Sequence, residues 1–390
     1  MFQLLLAIIY LAFISLGLPD ALLGSAWPIM YQEFSVPVSY MGIISMIIAS
    51  GTVISSLMSD RLTKKLGTGK VTAISVLLTA VALFGFSISS SMWMLCLWAI
   101  PYGLGAGSVD ASLNNYVALH YESRHMSWLH CMWGIGASLG PSIMGFALSH
   151  GQTWNMGYRY IAILQIVLTS ILFISLPLWK KNNPAVSTYA EPASSDNHVL
   201  TLREIIRLSG AKEIMIAFFC YSTIEQTTGQ WGSSYLVLHK GLSEETAATF
   251  AGLFYIGITI GRALSGFITM KLNDTQMIRL GEVIILLGCI ALVLPLGSVV
   301  SLGGFILIGL GCAPIYPSII HSTPANFGAD KSQAVIGVQM AAAYVGTTVM
   351  PPLFGIIANN ISIALLPLYV FAALLLMFAM YERVVKKCSN

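Results

Sequence analysis

The chain has 390 residues, of which 56% are apolar and only 9% are Asp, Glu, Lys or Arg, where an average soluble protein carries roughly 25% charged residues. With a mean hydropathy of +0.79, it excludes a water-soluble globule, a disordered chain and a collagen. Nineteen basic against sixteen acidic residues leave a net charge of +3 and no basic domain, so no nucleic acid is expected as a partner. What remains is a polytopic protein of the lipid bilayer.

A spanning helix needs about 20 mostly apolar residues. The N-terminal MFQLLLAIIYLAFISLG lacks the basic region of a signal peptide and runs past any cleavable length, so it reads as the start of a first span over 2–30. In chain order there follow 38–59, 71–90, 92–118, 127–149 and 158–179. Beyond a polar, Pro/Ser-rich stretch from Lys180 to Lys212, briefly amphipathic at its end, come 211–238, 246–270, 276–297, 300–322, 333–358 and 362–382. Twelve spans are thus expected, as a six-helix bundle over 1–180, a cytoplasmic linker over 181–210 and a second six-helix bundle over 211–390. With both termini placed in the cytoplasm, the inner segments collect 17 of the 19 Lys and Arg residues, and only Arg159 and Lys240 fall outside. The positive-inside bias supports that topology. Cys96, Cys131, Cys220, Cys289, Cys312 and Cys388 share no CxxC spacing and no His in a ligand pattern, so neither a disulfide framework nor a metal is expected.

The two halves resemble each other. GLGAGSVDAS, from Gly103, lines up with GLGCAPIYPS, from Gly309, at an offset of 206, and GASLGPSIMG, from Gly136, with GTTVMPPLFG, from Gly346, at 210. Glycines at such spacing let helices approach closely. Parallel halves with a site between them are the architecture of a rocking, alternating-access transporter.

The loop after the second span, SSLMSDRLTKKLG, resembles the signature loop of the major facilitator superfamily, with Asp60, Arg61, Lys64 and Lys65 at its charged positions and Ser56 and Thr63 replacing its glycines. In the second half, GITIGRALSGFITMKLND keeps Gly261, Arg262, Gly266 and Lys271. A narrower resemblance is to the fucose permease-like, sugar:proton symporter branch. It rests on Asp20 in the first span, Asp110 with Asn114 in the fourth, and Tyr221, Glu225, Trp231 and Tyr235 in the seventh. The resemblance implies an all-α membrane protein whose twelve transmembrane helices form two six-helix bundles related by pseudo-two-fold symmetry. It also implies a gating role for Asp60, Arg61 and Arg262, with Asp60 and Arg61 pairing across the half interface. Ordinary topology suffices for Lys64, Lys65 and Lys70.

Three acids, Asp20, Asp110 and Glu225, lie well inside spans, and the other thirteen read as loop or helix-end residues. A charge near the bilayer centre costs at least about 2.5 kcal/mol and is tolerated chiefly where it faces water or is neutralised. Burial disfavours a charged carboxyl, so such a group can take up and release a proton as its cavity opens to each side. Each acid can instead hydrogen-bond its neighbours and never titrate. Because Arg262 is placed in the cytoplasmic half of the eighth span, no buried ion pair is expected for any of the three.

Neighbours follow from helical spacing. Asn114 stands one turn from Asp110, and Trp27, seven residues after Asp20, is expected on its face. His130 and Trp133 are three apart in the fifth span. Aligned through Gly136 and Ala137, they occupy the branch's sugar-contacting positions. Gln226 and Gln230 form an amide pair beside Glu225, with Trp231 following, and Tyr316, Gln339 and Tyr344 are further candidates. Amides and carboxylates suit sugar hydroxyls, and an indole suits a sugar's C–H face. No Walker sequence is present, and the Gly-rich strings lie in apolar helices rather than after strands, so neither enzymatic catalysis nor a cofactor is expected.

The leading reading is proton-coupled uptake of a sugar or similar small polar solute by a monomer in the cell membrane. The alternative is proton-driven efflux of drugs or metabolites, which draws on Gly136, Gly140, Pro141 and Gly145, a run similar to the Gly-Pro motif of antiporters. A non-transporting sensor, the third reading, would leave three membrane-embedded acids without purpose.

Overall fold

The computed structural model describes residues 2–37, 40–181, 200–242, 244–295 and 297–388. They fold as helices joined by short turns. In chain order these are α1 (Phe2–Gly17), α2 (Leu22–Glu33), α3 (Met41–Leu66), α4 (Thr68–Ser87), α5 (Met92–His120), α6 (Ser123–Ser149) and α7 (Trp154–Lys181). Then come the short α8 (Leu202–Arg207) and α9 (Ala211–Leu238), α10 (Glu244–Ile268), α11 (Asp274–Val293), α12 (Ser298–Phe327), α13 (Ser332–Asn360) and α14 (Leu366–Cys388). Most of the expected linker, 182–199, lies outside the described residues.

Counting α1 and α2 as one stretch, ten helices are long and apolar enough to cross a membrane among the described residues. The remaining two long helices are α9 and α10. Lys212, Glu213, Glu225, Gln226 and Gln230 lower the hydropathy of α9, and Phe254–Ile268 of α10 is an apolar helical stretch.

The first span is not one continuous helix, because Pro19 has no N–H for the carbonyl of Ser15. The chain turns through Leu18–Ala21 before α2 begins. Gln165 of α7, itself buried, donates its amide N–H to that freed carbonyl at 2.6 Å, which makes the break tolerable at membrane depth.

The chain divides into two compact units, Met1–Tyr116 with Met132–Thr201, and Leu202–Asn390 with Val117–Cys131. The end of α5 and the first residues of α6 therefore pack with the second unit. In the first unit α4 lies along α7; in the second, α11 lies along α12, and α9 along α13 and α14.

The internal repeat extends from sequence into packing. A Cβ on Gly103 would collide with the carbonyl oxygen of Ile48, so α5 crosses α3 backbone to backbone. A Cβ on Gly309 would collide in the same way with the carbonyl oxygen of Phe254, where α12 crosses α10. Both partners of the second contact stand 206 residues after those of the first. Gly136 against the Ile14 carbonyl and Gly346 against that of Phe219 form a second such pair.

Candidate functional site

In the first unit, the break between α1 and α2 sets Asp20 about halfway along the first span. Its carboxylate is held by two neutral donors. Trp133 of α6 gives its indole N–H to Oδ2 at 2.8 Å, and Tyr102 of α5 gives its hydroxyl to Oδ1 at 3.3 Å. Asp20 is exposed while Leu18 and Pro19 beside it are buried. Among the described residues no Lys or Arg pairs with it. Asp110 of α5 lies within electrostatic reach of Asp20. It is buried, and Asn114, one turn on, donates its amide to Asp110 Oδ1 at 2.7 Å.

Trp27 is 3% exposed and packs in the apolar core of the first unit with Leu22, Ala26, Met30 and Ile44. Seven-residue spacing keeps two residues on one face only within a continuous helix, and the turn at Leu18–Ala21 interrupts it.

The second unit contradicts the expectation that no cation meets the third acid. Arg262 of α10 is 3% exposed, and its Nη2 pairs with Glu225 Oε1 of α9 at 3.2 Å. It also donates to the Tyr221 hydroxyl at 3.5 Å. Tyr221, Glu225 and Gly229 recur one helical turn apart, so one face of α9 lies on α10. At Gly229, a Cβ would strike the hydroxyl of Tyr255, two turns before Arg262. Arg262 is therefore a buried, paired cation rather than a free surface charge.

His130 packs edge-on against Tyr316 of α12, centroids 4.4 Å apart, and lies within electrostatic reach of Arg262. Tyr316 in turn meets Phe218 and Tyr221 and donates to Met340 Sδ at 3.1 Å. The second unit thus builds a polar cluster from Arg262, Glu225, Tyr221, Tyr316 and His130. His130 and Trp133, three residues apart on α6, belong to different clusters in different units.

Other candidates have structural partners. Trp231 donates its indole N–H to the Pro351 carbonyl at 2.9 Å and packs on Phe354, so it braces the Pro351–Pro352 region of α13. Gln339 is fully buried and accepts from Thr323 Oγ1 at 3.1 Å. Gln226 and Tyr344 are half-buried, and Gln230 is exposed. Of the gating candidates, Asp60 is buried and paired with Lys64 of its own helix at 3.0 Å, while Arg61 is exposed.

Two features escaped the sequence reading. Glu282 in α11, taken there as a helix-end residue, is 5% exposed, and neither carboxylate oxygen has a hydrogen-bond partner. His321 of α12 brings Nδ1 within 2.7 Å of Asp274 Oδ2 and Nε2 within 3.2 Å of the Tyr121 carbonyl oxygen. Ser123 donates to the other Asp274 oxygen at 2.6 Å. Asp274 is placed there by the Asn273–Gln276 capping box that starts α11. No local pattern in the sequence announces either feature.

The chain is 22% identical over 408 residues to the bypass of stop codon protein 6 of Saccharomyces cerevisiae, covering 96% of this chain and 81% of that protein. It is 23% identical over 314 residues to the glucose/mannose transporter GlcP of Bacillus subtilis, covering 79% and 77% respectively. In fold it is similar to the E. coli fucose:proton symporter FucP (N162A form), with a TM-score of 0.74, 17% identity, and 97% and 98% of the two chains covered. The model of the Major Facilitator Superfamily matches residues 9–351, and the chain belongs to that superfamily: it is a multi-pass membrane transporter with the twelve-helix, two-bundle major facilitator fold.

Proposed function

We propose that this transporter couples inward movement of protons to uptake of a sugar or similar small polar solute by alternating access. The observation that carries the reading is Asp20, an exposed carboxylate at mid-span whose partners among the described residues are the neutral donors Trp133 and Tyr102. Without a cationic partner, its charge is relieved by a proton. Protonation from one side and release to the other is the elementary step of coupling. Asp110, within electrostatic reach and braced by Asn114, favours a single shared proton over two charges.

Glu225, neutralised by Arg262, has a different part in this scheme and helps form the solute cluster with Tyr221, Tyr316 and His130. Gln226 and Gln230 add amides beside it. The glucose/mannose and fucose:proton relatives support a hexose-like solute and proton coupling. On this reading the chain works as a monomer in the cell membrane with both termini at the cytoplasmic face. Gly136 and Gly140, which suggested an antiporter, are accounted for by close packing of α6 on the Ile14 and Leu18 carbonyls.

Uptake of labelled hexoses into proteoliposomes under an imposed pH gradient, beside a panel of cationic dyes, tests the proposal. Sugar concentrated with an inward proton gradient supports it. Dye movement against the gradient without sugar uptake overturns it in favour of efflux.

A further inference from the structure

A buried guanidinium requires an anion beside it. In a solute carrier that anion can come from the protein or from the solute. Here the protein supplies it: Glu225 Oε1 stands 3.2 Å from Arg262 Nη2, and the Tyr221 hydroxyl takes the same nitrogen at 3.5 Å. The two partners are not equally placed. Arg262 is 3% exposed and Glu225 12% exposed, so the carboxylate is the more accessible partner. A solute reaching the pair meets an acceptor of hydroxyl protons that repels a second anion. Half-buried Gln226 and exposed Gln230 on the same helix offer neutral donors and acceptors.

We propose that Glu225 sets the charge of the accepted solute: by occupying Arg262, it restricts this cluster to uncharged, hydroxyl-bearing solutes and denies the guanidinium to sugar acids. Glu225 is on this account a specificity-determining residue. The inference rests on the reading of the chain as a carrier of small polar solutes.

The test compares glucose with glucuronate, which share a pyranose ring and differ by a carboxylate at C6. Binding is read from the thermal unfolding of purified protein titrated with each sugar, with sodium chloride as the ionic control. In the wild type, glucuronate is expected to give no shift beyond the chloride control. Glu225→Gln is expected to bind glucuronate at least tenfold more tightly than the wild type does, and the double variant Glu225→Gln, Arg262→Gln to lose that gain. A folded Glu225→Gln that responds to glucuronate as the wild type does overturns the proposal, as does a double variant that keeps the gain.

Because the single variant removes the carboxylate beside a buried cation, a second measurement guards against misfolding. Glu225→Ala leaves space beside Arg262, and added formate is expected to raise its unfolding midpoint by several degrees more than chloride does. No response to formate overturns the proposal. Should no sugar shift the wild type at all, the sugar reading fails, while the formate measurement still reports on Arg262.

Discussion

The indole N–H of Trp133 points at the Asp20 carboxylate from 2.8 Å, joining α6 to the turn where the first span breaks. A hydrogen bond to an ionised group contributes about 1.5–3 kcal/mol. In the proposed coupling it stabilises the carboxylate once the proton leaves. Trp133→Phe keeps the ring and removes the donor, so proton release becomes harder. Gradient-driven uptake is expected to fall roughly tenfold or more, with counterflow exchange less affected. Parallel uptake and counterflow assays check this.

The Arg262–Glu225 pair makes a second expectation, about stability. Removing one member of a buried ion pair leaves the other uncompensated and costs about 3–5 kcal/mol. Arg262→Leu is therefore expected to lower the thermal unfolding midpoint strongly. The double variant Arg262→Leu, Glu225→Leu should recover most of the loss, since apolar replacements of both partners are often neutral. Thermal unfolding of the three proteins in one detergent decides it.

Glu282 carries the opposite sign. An unpaired buried polar group costs about 1–3 kcal/mol, and both oxygens of Glu282 lack partners. Glu282→Met, of similar volume, is expected to raise the unfolding midpoint without reducing solute uptake. A lowered midpoint would mean that the carboxyl is needed where it stands.

His321 ties the turn between α5 and α6 to α12 through Tyr121 and Asp274. In His321→Ala, hydrogen exchange of the amides around Tyr121 and Ser123 is expected to quicken severalfold. An unchanged rate would mean that this contact does not hold the turn.

What the sequence disclosed follows from the range over which each force acts. The bilayer imposes about 20 apolar residues on a span, so the helices show as long apolar runs. Asn114 beside Asp110 also follows from the sequence, because both stand on one continuous helix. The Gly103 and Gly309 repeat shows as well, and its cause is two matching backbone crossings. Contacts between helices distant in sequence leave no such trace. Arg262 meets Glu225 across 37 positions, and Trp231 finds the Pro351 carbonyl across 120. The burial of Trp27 in the apolar core is not legible either, because Pro19 interrupts the helix between it and Asp20. Glu282 was passed over because eight residues from the start of α11 reads as a helix end, and only the packed neighbours show that it is buried.

The most direct test of proton exchange at Asp20 is a paired assay of Asp20→Asn in proteoliposomes. One arm measures solute accumulation driven by an inward proton gradient; the other measures counterflow of labelled against unlabelled solute with no gradient. Asn keeps the size and a hydrogen-bonding oxygen but cannot ionise. Accumulation is expected to vanish while counterflow persists. A variant that still concentrates solute at the wild-type rate would contradict the account.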